Sequence, residues 1–143
     1  MRITLATVIF LAAFGAAAQS PTPVGLWQTV NESGQREALV RITEVDGELR
    51  GHVVTVFSPP APSADPLCEE CPGELKNKPV VGLRILSGMR RDGERYSGGE
   101  ILDPDNGNLY RCTLRLVDGG RKLEVRGFIG ISFFGRTQTW LRQ

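Results

Sequence analysis

The sequence predicts an all-β fold: an eight-stranded antiparallel up-and-down barrel with one long loop between strands 3 and 4. Three observations carry that expectation. Apolar and polar side chains alternate through short runs. In "YRCTLRL", Tyr110, Cys112, Leu114 and Leu116 share one face while Arg111, Thr113 and Arg115 share the other. Such period-two patterning belongs to a sheet with one dry and one wet face. Turn pairs recur between the runs, at Asp46-Gly47, Asp92-Gly93, Asn106-Gly107 and Asp118-Gly119; these residue types accept the positive φ of a tight hairpin. Finally, 17 glycines and 9 prolines punctuate the chain, and no run shows an apolar i, i+3, i+4, i+7 stripe of helical length.

In chain order, the runs expected as strands are Gly25–Val30, Glu37–Val45, Glu48–Phe57, Val80–Met89, Glu94–Leu102, Leu109–Val117, Lys122–Phe128 and Arg136–Arg142. Leu123 and Val125 in the seventh oppose Lys122, Glu124 and Arg126, repeating the alternation. Mostly short connections imply sequential pairing, and eight sequentially paired strands can close on themselves and leave no open edge. A two-sheet sandwich is the alternative. One connection breaks the rhythm: Ser58 to Pro79 has no regular pattern and exceeds the ~12–15 residues usual for an unstructured loop. It begins with the stiff, solvated "SPPAPSADP" and ends with "LCEECPGELKNKP".

Residues 1–18 read as a cleavable export signal. Arg2 supplies the positive start, Ile3 to Phe14 the apolar stretch and Ala16-Ala17-Ala18 the small-residue cleavage site. The apolar run is shorter than the roughly 20 residues that span a bilayer. Residues 19–143 then form one barrel domain. Without Arg2 the 17 basic side chains fall to 16, matching 16 acidic ones, so no net charge draws the chain to nucleic acid or anionic membranes. The expected location is periplasmic or secreted, with no transmembrane segment after cleavage and conditions that preserve disulfides.

Cys68, Cys71 and Cys112 are the only cysteines and His52 the only histidine. A structural zinc site needs four such ligands in a tetrahedron, so all four would have to converge, and His52 in "LRGHVVTV" alternates like a wall residue. Redox catalysis needs a thiol of lowered pKa; Glu69 and Glu70 work against a thiolate, and Pro72-Gly73 opens no evident helix. The favoured reading is a structural disulfide, its pairing open. Cys68–Cys71 closes a small ring worth roughly 2 kcal/mol by loop entropy, and a bridge from the loop to Cys112 closes about forty residues for roughly 4 kcal/mol. A buried free thiol at Cys112 is equally ordinary.

Several segments together resemble a known family: "GLWQTV", "CEECPGELKNKPVVGLRIL", "YSGGEILDPDNGNLYRCTLRL" and "LEVRGFIGISFFGRTQTWLR". In this order they are similar to the bacterial exported proteins called domain of unknown function 2147, with "SPPAPSADP" as the departure. The resemblance implies a small periplasmic, lipocalin-like barrel and brings no established activity, substrate or cofactor. Gly25-Leu26-Trp27 also resembles the Gly-x-Trp that opens the first lipocalin strand. In those barrels a basic side chain of the last strand packs over the tryptophan, and Arg142, in preference to Arg136, is the barrel-closing candidate here, a cation on an indole face.

No catalytic constellation is legible. His52 is the sole imidazole, and neither Gly-x-Ser-x-Gly nor His-Glu-x-x-His occurs. Asp103, Asp105 and Asn106 imitate part of a calcium loop but lack its twelfth-position glutamate, so a hairpin turn is the simpler account. Gly98-Gly99 is expected to bend a strand at a barrel corner. In "GFIGISFFGR", Phe128, Ile129, Ile131, Phe133 and Phe134 form either a plug over the barrel end or an apolar lip for a partner. Two non-enzymatic functions follow, neither needing a cofactor or metal. One is a carrier of a small apolar ligand or lipid inside the barrel. The other is an envelope interaction or structural protein with a side-chain-filled barrel.

Overall fold

The computed structural model describes residues 19–57, 65–131 and 135–143; the expected signal at 1–18 lies outside them. Eight strands form a closed barrel in which each is hydrogen-bonded to the next and β8 returns to β1. They are β1 Gly25–Val30, β2 Arg36–Val45, β3 Glu48–Val56, β4 Arg84–Asp92, β5 Arg95–Leu102, β6 Leu109–Val117, β7 Lys122–Phe128 and β8 Gly135–Arg142. The alternative of two packed sheets is excluded by this closure. The alternation that predicted the sheet is what fills the barrel: Cys112, Leu114, Leu123 and Val125 are buried while Arg111, Arg115 and Lys122 are exposed.

Up-and-down order sorts the connections between two ends. The β2–β3, β4–β5 and β6–β7 turns share one end with both chain termini of the barrel; the β1–β2, β3–β4, β5–β6 and β7–β8 connections share the other. The first end is closed. Asp46-Gly47 and Asp118-Gly119 both take positive φ there. At Asp92-Gly93 only the glycine does, since Asp92 is still paired with Arg95 as part of β4.

Strand β4 corrects the expectation of Val80–Met89 at both ends. Val80 and Val81 have strand-forming side chains, but the Val80 N–H donates to the Pro66 carbonyl and a turn follows, closed by Leu83 N–H to Val80 O at 3.0 Å. Val80 therefore finishes the long loop. At the far end Arg90, Arg91 and Asp92 pair with Ser97, Tyr96 and Arg95, because the hairpin needs only two turn residues. Nor is the second half of the long loop without pattern. Leu67 bridges Pro79, and a short 3-10 turn at Gly73–Leu75 follows Pro72, where the sequence suggested no helix.

The interior of the closed half is packed solid. Trp27, Trp140, Leu49, Leu86, Met89, Leu114 and Leu123 are each less than 2% exposed. Gly99 is part of that filling. A β carbon there would collide with the Ser87 carbonyl and the Met89 sulfur, so its absence lets β4 and β5 approach rather than leaving room. The register of β5 against β6 slips between Tyr96 and Gly99, the bulge that turns the sheet at the Gly98-Gly99 corner.

Candidate functional site

The closed end is a sealed floor. Arg142, last in β8, stacks its guanidinium 4.3 Å above the Trp27 ring. It also donates to three carbonyls: Gly120 (2.7 Å), Val24 (2.9 Å) and Thr22 (2.6 Å). Trp27 itself donates from Nε1 to the Pro23 carbonyl at 2.7 Å. These bonds tie the entering chain, the β6–β7 turn and the last strand together. Arg136, the other basic candidate, sits at the opposite end in an exposed ion pair with Glu32 at 2.6 Å.

The open end gathers most of the residues that the sequence singled out. Cys68 and Cys71 are joined in a disulfide, both buried against the core. Cys112 is a free, buried thiol, its pKa pushed up to about 12 by burial. The disulfide ring is held by Cys68 N–H to Lys78 O and Asn77 N–H to Cys68 O, both 2.8 Å. Cys68 Sγ carries no hydrogen in the disulfide and simply touches the Pro104 carbonyl at 3.5 Å. The Glu70 carbonyl occupies the space that a β carbon on Gly107 would need. The loop is therefore pressed onto the β5–β6 turn.

That turn explains the Asp103–Asn106 cluster as structure. Asp103 accepts the Asp105 N–H at 2.9 Å on one carboxylate oxygen and Asn106 Nδ2 at 3.0 Å on the other. Among the described residues no group of three or more His, Cys, Asp or Glu side chains is placed to hold a metal ion. His52 faces outward on β3 between buried Gly51 and Val53.

Opposite the cysteine loop, the rim residues of β8 are exposed. Trp140 and Gln138 stand in register with buried Leu123 and Val125, and Arg136 with Gly127; Trp140 Nε1 donates to Gln138 Oε1 at 3.1 Å. Trp140 is 1% exposed, yet Gln138 and Arg136 above it are exposed. The seam is short as well: β1 and β8 pair only at Trp27–Arg142 and Gln28–Leu141. In the β7–β8 connection Ile129 and Ile131 are 70% and 63% exposed. Phe128, expected at the end of the seventh strand, pairs there with Arg111 and Gly135 and is half-buried. Phe133 and Phe134 lie outside the described residues.

One residue of the rim was missed in the sequence. Glu37, at the start of β2, has its pKa raised first by burial and then by the negative charges of Asp105 and Asp103. Asp105 is raised in the same way, by burial and by Asp103. These acids lie 66 and 68 positions along the chain from Glu37, and only barrel closure brings them close.

The sequence profile of a family described as uncharacterized protein conserved in bacteria, DUF2147, matches residues 25–142. The chain belongs to the DUF2147 family. No curated protein matches the chain. Among solved structures it is similar to one described as "Protein HP1028 from the human pathogen Helicobacter pylori belongs to the lipocalin family". The TM-score is 0.73 at 21% identity, over 86% of this chain and 84% of that one. At that identity the likeness establishes the lipocalin-like barrel and nothing of its chemistry. Within this DUF2147 barrel no helix of the described residues is long and apolar enough to cross a membrane.

Proposed function

We propose that this DUF2147 protein is an exported, non-enzymatic barrel of the bacterial envelope that holds a small apolar or amphipathic molecule at its open end. The single observation behind this reading is the change along one side of β8, from sealed Trp140 to exposed Gln138. The floor admits nothing, so a ligand is taken at the rim and not deep in the barrel. The Cys68–Cys71 disulfide supports an oxidising compartment, consistent with residues 1–18 as an export signal and with a periplasmic or secreted location.

Protein purified from its host and weighed by native mass spectrometry is expected to carry a small lipid-like adduct. Dodecanoate is expected to change the fluorescence of Trp140, which lies under the rim. A clean apo mass together with unchanged fluorescence overturns the reading. The exposed Ile129 and Ile131 favour a second one, in which the same end docks a protein partner through its apolar lip.

A further inference from the structure

The outer junction between the cysteine loop and β4 forms a second feature that the barrel interior does not explain. An open groove of about 310 Å³ is lined by Leu75, Lys78, Pro79, Val81, Leu83 and Arg84. The 3-10 turn and the turn before β4 leave Leu75 and Val81 37% and 40% exposed along it. Leu83, buried, is its floor.

Charge sets the head group. Lys78 and Arg84 are exposed, and among the described residues neither has a carboxylate within ion-pair distance, whereas Arg50, Arg90, Arg115, Arg121 and Arg136 each have one. Arg84 also ends a cross-strand row on the outer face, Arg41 opposite His52 and His52 opposite Arg84. The residue opposite Arg84 in that row is therefore a histidine and not a carboxylate, so the sheet supplies its guanidinium with no counter-charge. An apolar trough beside unneutralised cations complements an anion with one greasy tail. Its volume is at the small end of the ~300–1,000 Å³ range of ligand pockets, too little for a two-chain lipid.

We propose that this groove binds a single-chain fatty carboxylate, with the chain along Leu75, Val81 and Leu83 and the head group between Lys78 and Arg84. The proposal rests on the reading of the protein as a binder of amphipathic molecules but places this site outside the rim. Isothermal titration of the full oxidised protein with dodecanoate below its micelle concentration tests it. The K78E/R84E variant is expected to bind about tenfold more weakly or worse, V81D likewise, and R95E at the closed end like the parent. Inorganic phosphate, a head without a tail, and dodecyl maltoside, a tail without a charge, are both expected to bind far more weakly. Both altered cations are exposed and unpaired, so an unchanged melting curve is expected to show the fold intact.

Dodecanoate binding that K78E/R84E leaves unchanged overturns the groove, and if that binding still alters Trp140 fluorescence the rim reading survives. No dodecanoate binding removes the groove, and if Trp140 fluorescence is also unchanged and the native mass is clean, the rim reading falls with it. Variant-sensitive attachment to phosphatidylglycerol vesicles or to an acidic peptide, without binding of dodecanoate monomers, overturns the carboxylate in favour of those partners.

Discussion

The two ends of the barrel handle their acidic side chains in opposite ways. At the closed end Glu48 is held below the ordinary carboxylate range, chiefly by its hydrogen bond to Arg50 with the Gly88 N–H and Arg90 in support. Asp118 is lowered by its hydrogen bond to Arg121 and by the charges of Arg121 and Lys122. At the open end Glu37 and Asp105 are pushed up by burial and by neighbouring acids. Glu48 and Asp118 are answered by arginines, whereas Glu37 and Asp105 have other acids as their charged neighbours, even though Glu32 at the same end pairs with Arg136. Perturbed groups of the second kind concentrate where proteins act. The difference teaches that the floor serves the fold, and it accords with the proposal that a ligand is held at the rim.

The comparison breaks first at the floor. Trp27→Ala removes a fully buried indole, its bond to Pro23 and the surface under Arg142. A loss of about 3–5 kcal/mol is expected, read as a lowered midpoint in urea. Arg142→Ala leaves the indole in place but frees three carbonyls, and about 2 kcal/mol is expected to go. A floor that tolerates both changes would not be the structural end of the molecule.

At the rim the corresponding tie is the disulfide. Reduction, or Cys71→Ser, is expected to cost at most about 2 kcal/mol, the entropy of a very short ring. Its main effect is local, on the contact of Glu70 with Gly107. Amide hydrogen exchange with and without reductant is expected to show faster exchange at Asn77 and Cys68 while Leu114 and Leu123 stay protected. Equal loosening across the barrel sinks the idea of a separable rim. Cys112 gives a control in the same sample. With its pKa raised to about 12, it is expected to resist thiol reagents in the folded protein and to react on unfolding.

How much of this was legible follows from the range of each interaction. Strands declare themselves through neighbours two residues apart, so Leu123 and Val125 against Lys122 and Glu124 sufficed for β7. Strand β4 misled because Val80 and Val81 carry β propensity, but Val80 is bonded to Pro66 of the folded loop and a turn follows it. Three cysteines allow more than one bridge, and only the folded loop selects Cys68–Cys71. The Gly-x-Trp resemblance pointed to Trp27 and Arg142, which the structure stacks together. Glu37 left no local mark at all, since its neighbours in space lie in the β5–β6 turn. Lys78 and Arg84 likewise left no mark in the sequence, because the groove that they line forms only where the loop returns to the sheet.

The smallest predicted effect tests the opposition of the two ends most directly, through its sign. A carboxyl whose pKa is raised on folding binds its proton more tightly in the native state, so stability falls as pH climbs from the ordinary 4.5 through the raised value. At neutral pH Glu37 therefore carries a standing penalty, and Glu37→Gln is expected to remove it. Water screens a half-buried group, so the gain in Tm at pH 7 is expected to be only about 1–2 °C, vanishing below pH 4. Asp118, lowered on folding, contributes stability above its ordinary 3.8 that is lost as pH falls through the depressed value. Asp118→Asn is expected to lower Tm at pH 7 and to matter progressively less in acid. Melting curves of the two variants against pH should therefore diverge in opposite directions from the parent near neutrality and converge on it in acid. Shifts of the same sign would mean that the rim acids are as well answered as those of the floor.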